Sequence, residues 1–250
     1  NKKKINEFQA QTKLENFRKK NKNYLFPSFN TIAGAGKNGA IIHYRADKSN
    51  AKKIEKDDIF LCDSGGQYKF GTTDVTRTIC FSKPKQYIKN IFTNVLKGHI
   101  AVATADLNRF YNGKLIDPLA RKYLNKIGLD YKHGTGHGVG FFLNVHEGPQ
   151  SISKFNDVNF KEGMVISNEP GFYKKDNFGI RIENLVYVKK LNRKLIFQNL
   201  TLAPIDKDLV NFDKLQKKEK DYLFKYHVEV SNKLSNFLNK NEKKWLASFI

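Results

Sequence analysis

Asp63, Asp74, His137, Glu169 and Glu183 can each ligate a metal, and their order gives each half of the chain one pair of carboxylates. Carboxylates are hard oxygen donors. One imidazole among four of them suits Mn, Zn, Co or Fe(II) better than a thiolate-loving metal. Four negative charges also match two divalent cations. A single cation would leave surplus buried charge, whereas two held close together share bridging carboxylates and activate one water between them. The chemistry implied is metal-assisted hydrolysis.

Two hairpins are expected to carry these residues. Asp63 ends the apolar run that begins at Ile59, and Asp74 opens the β-branched run to Ile79, with a Gly-containing turn between. The pattern recurs about a hundred residues on. Met164 to Glu169 is followed by Pro170, Gly171 and a polar turn, then by Gly179 to Val188. Because strand side chains alternate between faces, Arg181 points the same way as Glu183, while Ile180 and Ile182 enter the opposite layer. Cys62 likewise faces away from the metals, so no thiolate ligand is expected.

Four of the six histidines lie in Gly-rich or strand-edge contexts: His43, His133, His137 and His146. His133 and His137 have the four-residue spacing of helical zinc ligands, but Gly134, Gly136, Gly138 and Gly140 argue for a loop that closes on a small ligand. His99 and His227 sit in helix-like segments without chemical company and read as structural. The stretch Gly34 to Gly39 matches a dinucleotide fingerprint, yet Pro27 to Thr31 precedes it and Ala40 to Tyr44 follows it. It therefore reads as a glycine turn into a strand, from about 39 to 44, that carries His43.

The segments around His43, Asp63, Asp74, His133 to Gly140, Asn144 to Pro149, Asn168 to Tyr173 and Gly179 to Asn184 closely resemble the catalytic domain of aminopeptidase P, the Xaa-Pro aminopeptidases, and most of all their cytosolic eukaryotic-like branch. The resemblance runs from about Phe26 to the end. It implies an α+β pita-bread fold, two pseudo-symmetric αβ halves around a dinuclear site, usually with manganese, and release of the N-terminal residue that precedes a proline. Carried over by position, it assigns the metal ligands to Asp63, Asp74, His137, Glu169 and Glu183, with Asp74 and Glu183 bridging. Glu169 also becomes the general base for the attacking water. His43 and His146 contact substrate near the scissile bond, His133 lines the proline-side pocket with Phe141 and Phe142 following it, and Arg181 stands beside the bridging glutamate. Prolidase shares the five ligands and is the competing enzyme; a pita-bread binding module without catalysis is the competing class, and retention of every ligand argues against it.

The remaining sequence bounds this reading. At 250 residues, with no apolar run long enough to cross a membrane, the chain can bury a full core. No signal peptide is visible, and two cysteines in strand-like contexts suit reduced thiols, so a cytoplasmic location is expected. The formal charge of +21 raises the question of nucleic acid, but only 7 of the 45 basic residues are arginine and the lysines are spread along the chain. No nucleic-acid partner is expected. Helices are expected from Ile5 to about Lys20, from Lys83-Pro84 onward, and from an Asp117-Pro118 cap to Gly128. Residues 1–205 then form the catalytic domain and 206–250 a Lys-rich helical extension, which in the resembled family helps form a dimer. Met164 is the only methionine, so the sequence is expected to be a piece of a longer protein.

Overall fold

The computed structural model describes residues 5–250. Helix α1 (Glu7–Arg18) starts on a reciprocal cap between Asn6 and Gln9. It is followed by β1 (Tyr24–Pro27), β2 (Ile32–Ala35), β3 (Ile59–Ser64), β4 (Gly66–Tyr68), β5 (Gly71–Thr72) and β6 (Val75–Cys80). Two helices come next, α2 (Gln86–Ala103) and α3 (Gly113–Asn125). The second half holds β7 (Gly136–His137), β8 (Ser151–Ile152), β9 (Val165–Asn168), β10 (Gly171–Lys174), β11 (Phe178–Arg181), β12 (Asn184–Leu191) and β13 (Lys194–Asn199). Helices α4 (Lys217–Leu234) and α5 (Lys240–Ala247) close the chain.

Each half uses the same strand plan, and it is richer than one hairpin. The long strands pair directly and antiparallel, β3 with β6 through Asp63 opposite Thr76, and β9 with β12 through Asn168 opposite Asn184. A short pair is inserted between them, β4 with β5 in the first half and β10 with β11 in the second. The carboxylates stand where the long strands meet these insertions.

Three expectations about local structure need correction. Residues 39 to 44 form no strand: the strand is β2, buried throughout, and Gly36–Ala40 is a 3-10 turn after which His43 lies in a turn. The glycines serve close backbone approach, since a Cβ on Gly179 would lie 1.7 Å from the Gly39 carbonyl oxygen. A buried strand does lead into these glycines, against the expectation, while a 3-10 turn and no α-helix follows them, as expected. Helix α3 begins earlier than Asp117, with Asn112 as its cap accepting from the Leu115 N–H. Asp117 is buried inside the helix and bonded to Arg121 and Thr135, with Pro118 one residue on.

The main core joins the C-terminal region to the rest. Ile88, Phe92, Val95 and Leu96 of α2 pack with Phe178, Ile180 and Ile182, and the same cluster contains Leu209, Leu215, Leu223, Tyr226 and Val230. A second cluster packs α3, through Ile116 and Ala120, on Ile166, Val186 and Val188. Ile180 and Ile182 thus lie in the core as expected, but the expected strand from Gly179 to Val188 is broken at Ile182 and Glu183, between β11 and β12. Both cysteines are free thiols. Among the described residues no helix is long and apolar enough to cross a membrane.

His227 of α4 is buried, and its Nε2 accepts the Ile205 N–H at 3.0 Å. Burial, reinforced by Arg77, lowers its pKa to about 4. A neutral ring held this way contributes stability that is present in full above the free-histidine pKa and is lost as pH falls through the folded value. Between about pH 6.5 and 4 the wild type is expected to lose roughly 3 kcal/mol through this residue. Urea unfolding across that range checks it: His227→Asn should show a shallower pH dependence, and an identical slope would remove the residue from the linkage.

Candidate metal centre

The sheets bring carboxylates from both halves around one imidazole. Asp74, His137 and Glu183 each offer a ligand atom within 4.8 Å of the others. His137 Nε2 stands 3.4 Å from Asp74 Oδ2 and 3.3 Å from Glu169 Oε1. Its Nδ1 donates to the Gly138 carbonyl at 3.0 Å, which orients the ring with Nε2 toward the acids. Asp63 lines the same cavity as Asp74, His137 and Glu169.

The carboxylates of this cluster outnumber the one guanidinium, that of Arg181, set beside them. Asp63, Asp74 and Glu183 are buried, and each keeps one carboxylate oxygen with no hydrogen-bond partner. Burial, then the charges of Asp63 and Glu169, raises the Asp74 pKa well above the usual carboxylate range. Burial raises Glu183 likewise, followed by Asp74, Glu169 and Asp63. Divalent cations would relieve both the repulsion and the unpaired oxygens, so the donor set fits them.

Around the acids stands a layer of donors. Arg181 is buried and gives Nη2 to Asp63 Oδ2 at 2.6 Å, Nε to Thr76 Oγ1 at 3.0 Å and Nη1 to the Tyr173 hydroxyl at 2.5 Å. Thr76 Oγ1 donates to Glu183 Oε2 at 2.7 Å, and Ser167 Oγ to Glu169 Oε1 at 2.8 Å. Glu169 is further set by its N–H on the Thr135 carbonyl, while Thr135 Oγ1 donates to buried Asp117. One guanidinium therefore serves both halves of the site.

The cavity above the acids holds about 370 Å³ and is also lined by His43, His133 and His146. The His146 ring lies edge-on to His137 at 4.1 Å, and burial, then His137, lowers its pKa. Burial also lowers that of His133. Both ring nitrogens of His133 are used, Nε2 toward the Tyr173 hydroxyl at 2.9 Å and Nδ1 toward the Gly134 carbonyl at 2.7 Å.

Comparison with known proteins places this arrangement. The sequence profile of metallopeptidase family M24 matches residues 1–190, and that of the C-terminal region of peptidase M24 matches residues 194–248. The chain belongs to metallopeptidase family M24. It is 49% identical to an uncharacterised peptidase of Schizosaccharomyces pombe over 98% of this chain and 43% of the relative. With a probable Xaa-Pro aminopeptidase P of Laccaria bicolor it shares 47% identity, over 97% of this chain and 40% of the other. The crystal structure of X-prolyl aminopeptidase from Caenorhabditis elegans, described as a cytosolic enzyme with a di-nuclear active site, superposes with a TM-score of 0.93 at 38% identity, covering 99% of this chain and 42% of that one. Prolidase from Pyrococcus furiosus gives a TM-score of 0.71 at 32% identity, over 79% and 56% of the two chains. The fold is the M24 pita-bread fold, and the chain spans about two fifths of the length of its curated relatives.

Several residues of this M24 site escaped sequence reasoning. Phe141 and Phe142 do not line the histidine cavity; Phe29, Ile32 and Ile42 do. Gly140 N–H closes a turn on the Asn144 carbonyl, and Phe142 adopts φ 54°, which swings both rings into solvent. Arg45 also lines the cavity, and its only signal was proximity to His43. Tyr173, pushed up to about 12 by burial, stays a protonated phenol that accepts from Arg181 and donates to His133. Nothing short of the register of β10 and β11, in which Tyr173 faces Gly179, puts it there.

Proposed function

We propose that the protein releases the N-terminal residue from peptides with proline in second position, using two divalent cations, with manganese preferred, held by Asp63, Asp74, His137, Glu169 and Glu183. The observation that carries this reading is the trio of buried carboxylates with unpaired oxygens gathered beside His137. Bound there, the cations would supply Lewis-acid polarisation of the scissile carbonyl and acidify a water at neutral pH. Glu169, oriented by Ser167, takes the proton of the attacking water and passes it to the leaving nitrogen. Arg181 holds Asp63 in place and keeps positive charge beside Glu169, 3.9 Å from its Oε2. His43 and His146, at the outer rim, donate to the carbonyl oxygen as it gains charge.

Specificity follows from what His133 can offer. With both nitrogens engaged it presents a ring surface, which suits an apolar pyrrolidine and asks for no amide proton. A Pro nitrogen is a tertiary amide without N–H, so a site that needs no such donor accepts it. Xaa-Pro-Yaa peptides are expected to exceed Xaa-Ala-Yaa by about tenfold or more in kcat/KM, with weak action on Xaa-Pro dipeptides. His133→Ala should erode that ratio while leaving the Ala peptide nearly unchanged. Equal constants for the two tripeptides would end the specificity reading; preference for the dipeptide would make the protein a prolidase. A cytoplasmic location and a homodimer complete the proposal, supported by the cytosolic C. elegans neighbour and by exposed Phe224, Phe237 and Trp245 in the C-terminal region. Residues 1–205 act as the catalytic domain and 206–250 as its extension.

A further inference from the structure

Glu183 occupies an unusual place in the ladder. Arg181 pairs with Gly171 and Asn184 with Asn168, so Glu183 falls between two strands and has no sheet partner in its own half. Its backbone groups are satisfied from the first half instead. The N–H donates to the Thr76 carbonyl at 3.1 Å, and the carbonyl accepts from Arg77 Nη1 at 2.5 Å.

Arg77 is also the link to the C-terminal region. Its Nε donates to the Pro204 carbonyl at 2.9 Å, and its Nη2 to the Ala203 carbonyl at 2.7 Å, to Asn184 Oδ1 at 2.7 Å and to the Tyr226 hydroxyl at 2.9 Å. These partners are all neutral oxygens, so the guanidinium works as a planar fork and not as an ion-pair partner. The Tyr226 hydroxyl in turn donates to the Ala203 carbonyl at 2.7 Å, and His227 Nε2 takes the Ile205 N–H. The segment from Ala203 to Ile205 is thus pinned by α4 on one side and Arg77 on the other.

We infer that Arg77 is a positioning residue through which Tyr226 of α4 holds the backbone of Glu183, so that the C-terminal region helps set the metal centre. The metal part of this statement rests on the proposed two-cation site; the backbone part does not. Lysine at position 77 has the charge but not the fork, and phenylalanine at 226 keeps the buried ring while removing the hydroxyl.

Arg77→Lys and Tyr226→Phe test it by hydrogen exchange of the chelator-treated protein and by Mn2+ titration. Exchange at the Glu183 and Asn184 amides should rise severalfold while amides in the middle of α2 and the thermal midpoint stay at wild-type values. Mn2+ affinity should fall by about tenfold or more, as for other residues that orient a ligand. Wild-type exchange at those two amides overturns the inference, whatever the metal does, and raised exchange with unchanged affinity overturns its metal part. If the wild type itself takes up no Mn2+, the two-cation reading fails while exchange still decides the coupling. Where Arg77→Lys does not fold, Tyr226→Phe alone decides.

Discussion

Replacing Asp74 by asparagine is expected to remove metal and turnover together, with metal affinity falling by more than about a hundredfold, beyond the range typical of residues that only orient a ligand. Asparagine keeps the shape and removes the charge that two cations would share. The same charge is a burden without metal. Burial and the neighbouring Asp63 and Glu169 raise the Asp74 pKa, so its contribution to folding is favourable at low pH and is lost as pH rises through the folded value. The metal-free variant at pH 7 should therefore unfold at or above the temperature of the metal-free wild type, and the gap should close below about pH 4, where the wild-type carboxyl is protonated in either state. Metal analysis with thermal unfolding measures both effects. One equivalent of metal in the saturated wild type, or full activity in Asp74→Asn, would refute the dinuclear assignment.

The two carboxylate pairs were legible because each sits at the edge of an apolar or β-branched run beside a polar turn, a local signal. The short strands β4, β5 and β10, and the break between β11 and β12, were not, because strands of two to four residues are stabilised by what they pair with and carry no period of their own. Capping shows the same limit. Asn112 and Asp117 are both acceptable caps by residue type, and only the packing of Gly113 against Ser151, where a Cβ would lie 1.8 Å from a carbonyl oxygen, puts the helix start at the first. Arg77 is the strongest case, whereas Arg181 was read from its place beside Glu183. Apart from the neighbouring Thr76 carbonyl, the partners of Arg77 lie more than a hundred residues away, and no local pattern distinguishes an arginine that satisfies backbone carbonyls from one in solvent. Charge told equally little about it, since the excess of lysine dominates the composition.

His43→Ala and His146→Ala are expected to cut turnover by about a hundredfold or more while leaving metal content near that of the wild type. Neither ring is enclosed among the acids: both are exposed at the cavity mouth, whereas His137 stands between Asp74 and Glu169. They reach the site differently. His43 comes from the turn that follows the 3-10 segment against β11, and His146 from a loop fastened where Glu147 N–H meets the Gly138 carbonyl at 2.8 Å, next to His137, the proposed ligand. Partial desolvation in the cavity, then His137, holds the His146 pKa below its usual value, so at pH 7 its ring is neutral and offers one N–H and one lone pair. Such a group donates to a carbonyl oxygen as negative charge grows on it without adding repulsion toward the cations. Alanine at either position should therefore lower kcat more than it raises KM, since the interaction strengthens at the transition state. Metal analysis beside steady-state kinetics separates the outcomes: loss of metal would move that ring into the ligand set, and unchanged turnover would leave it a structural histidine.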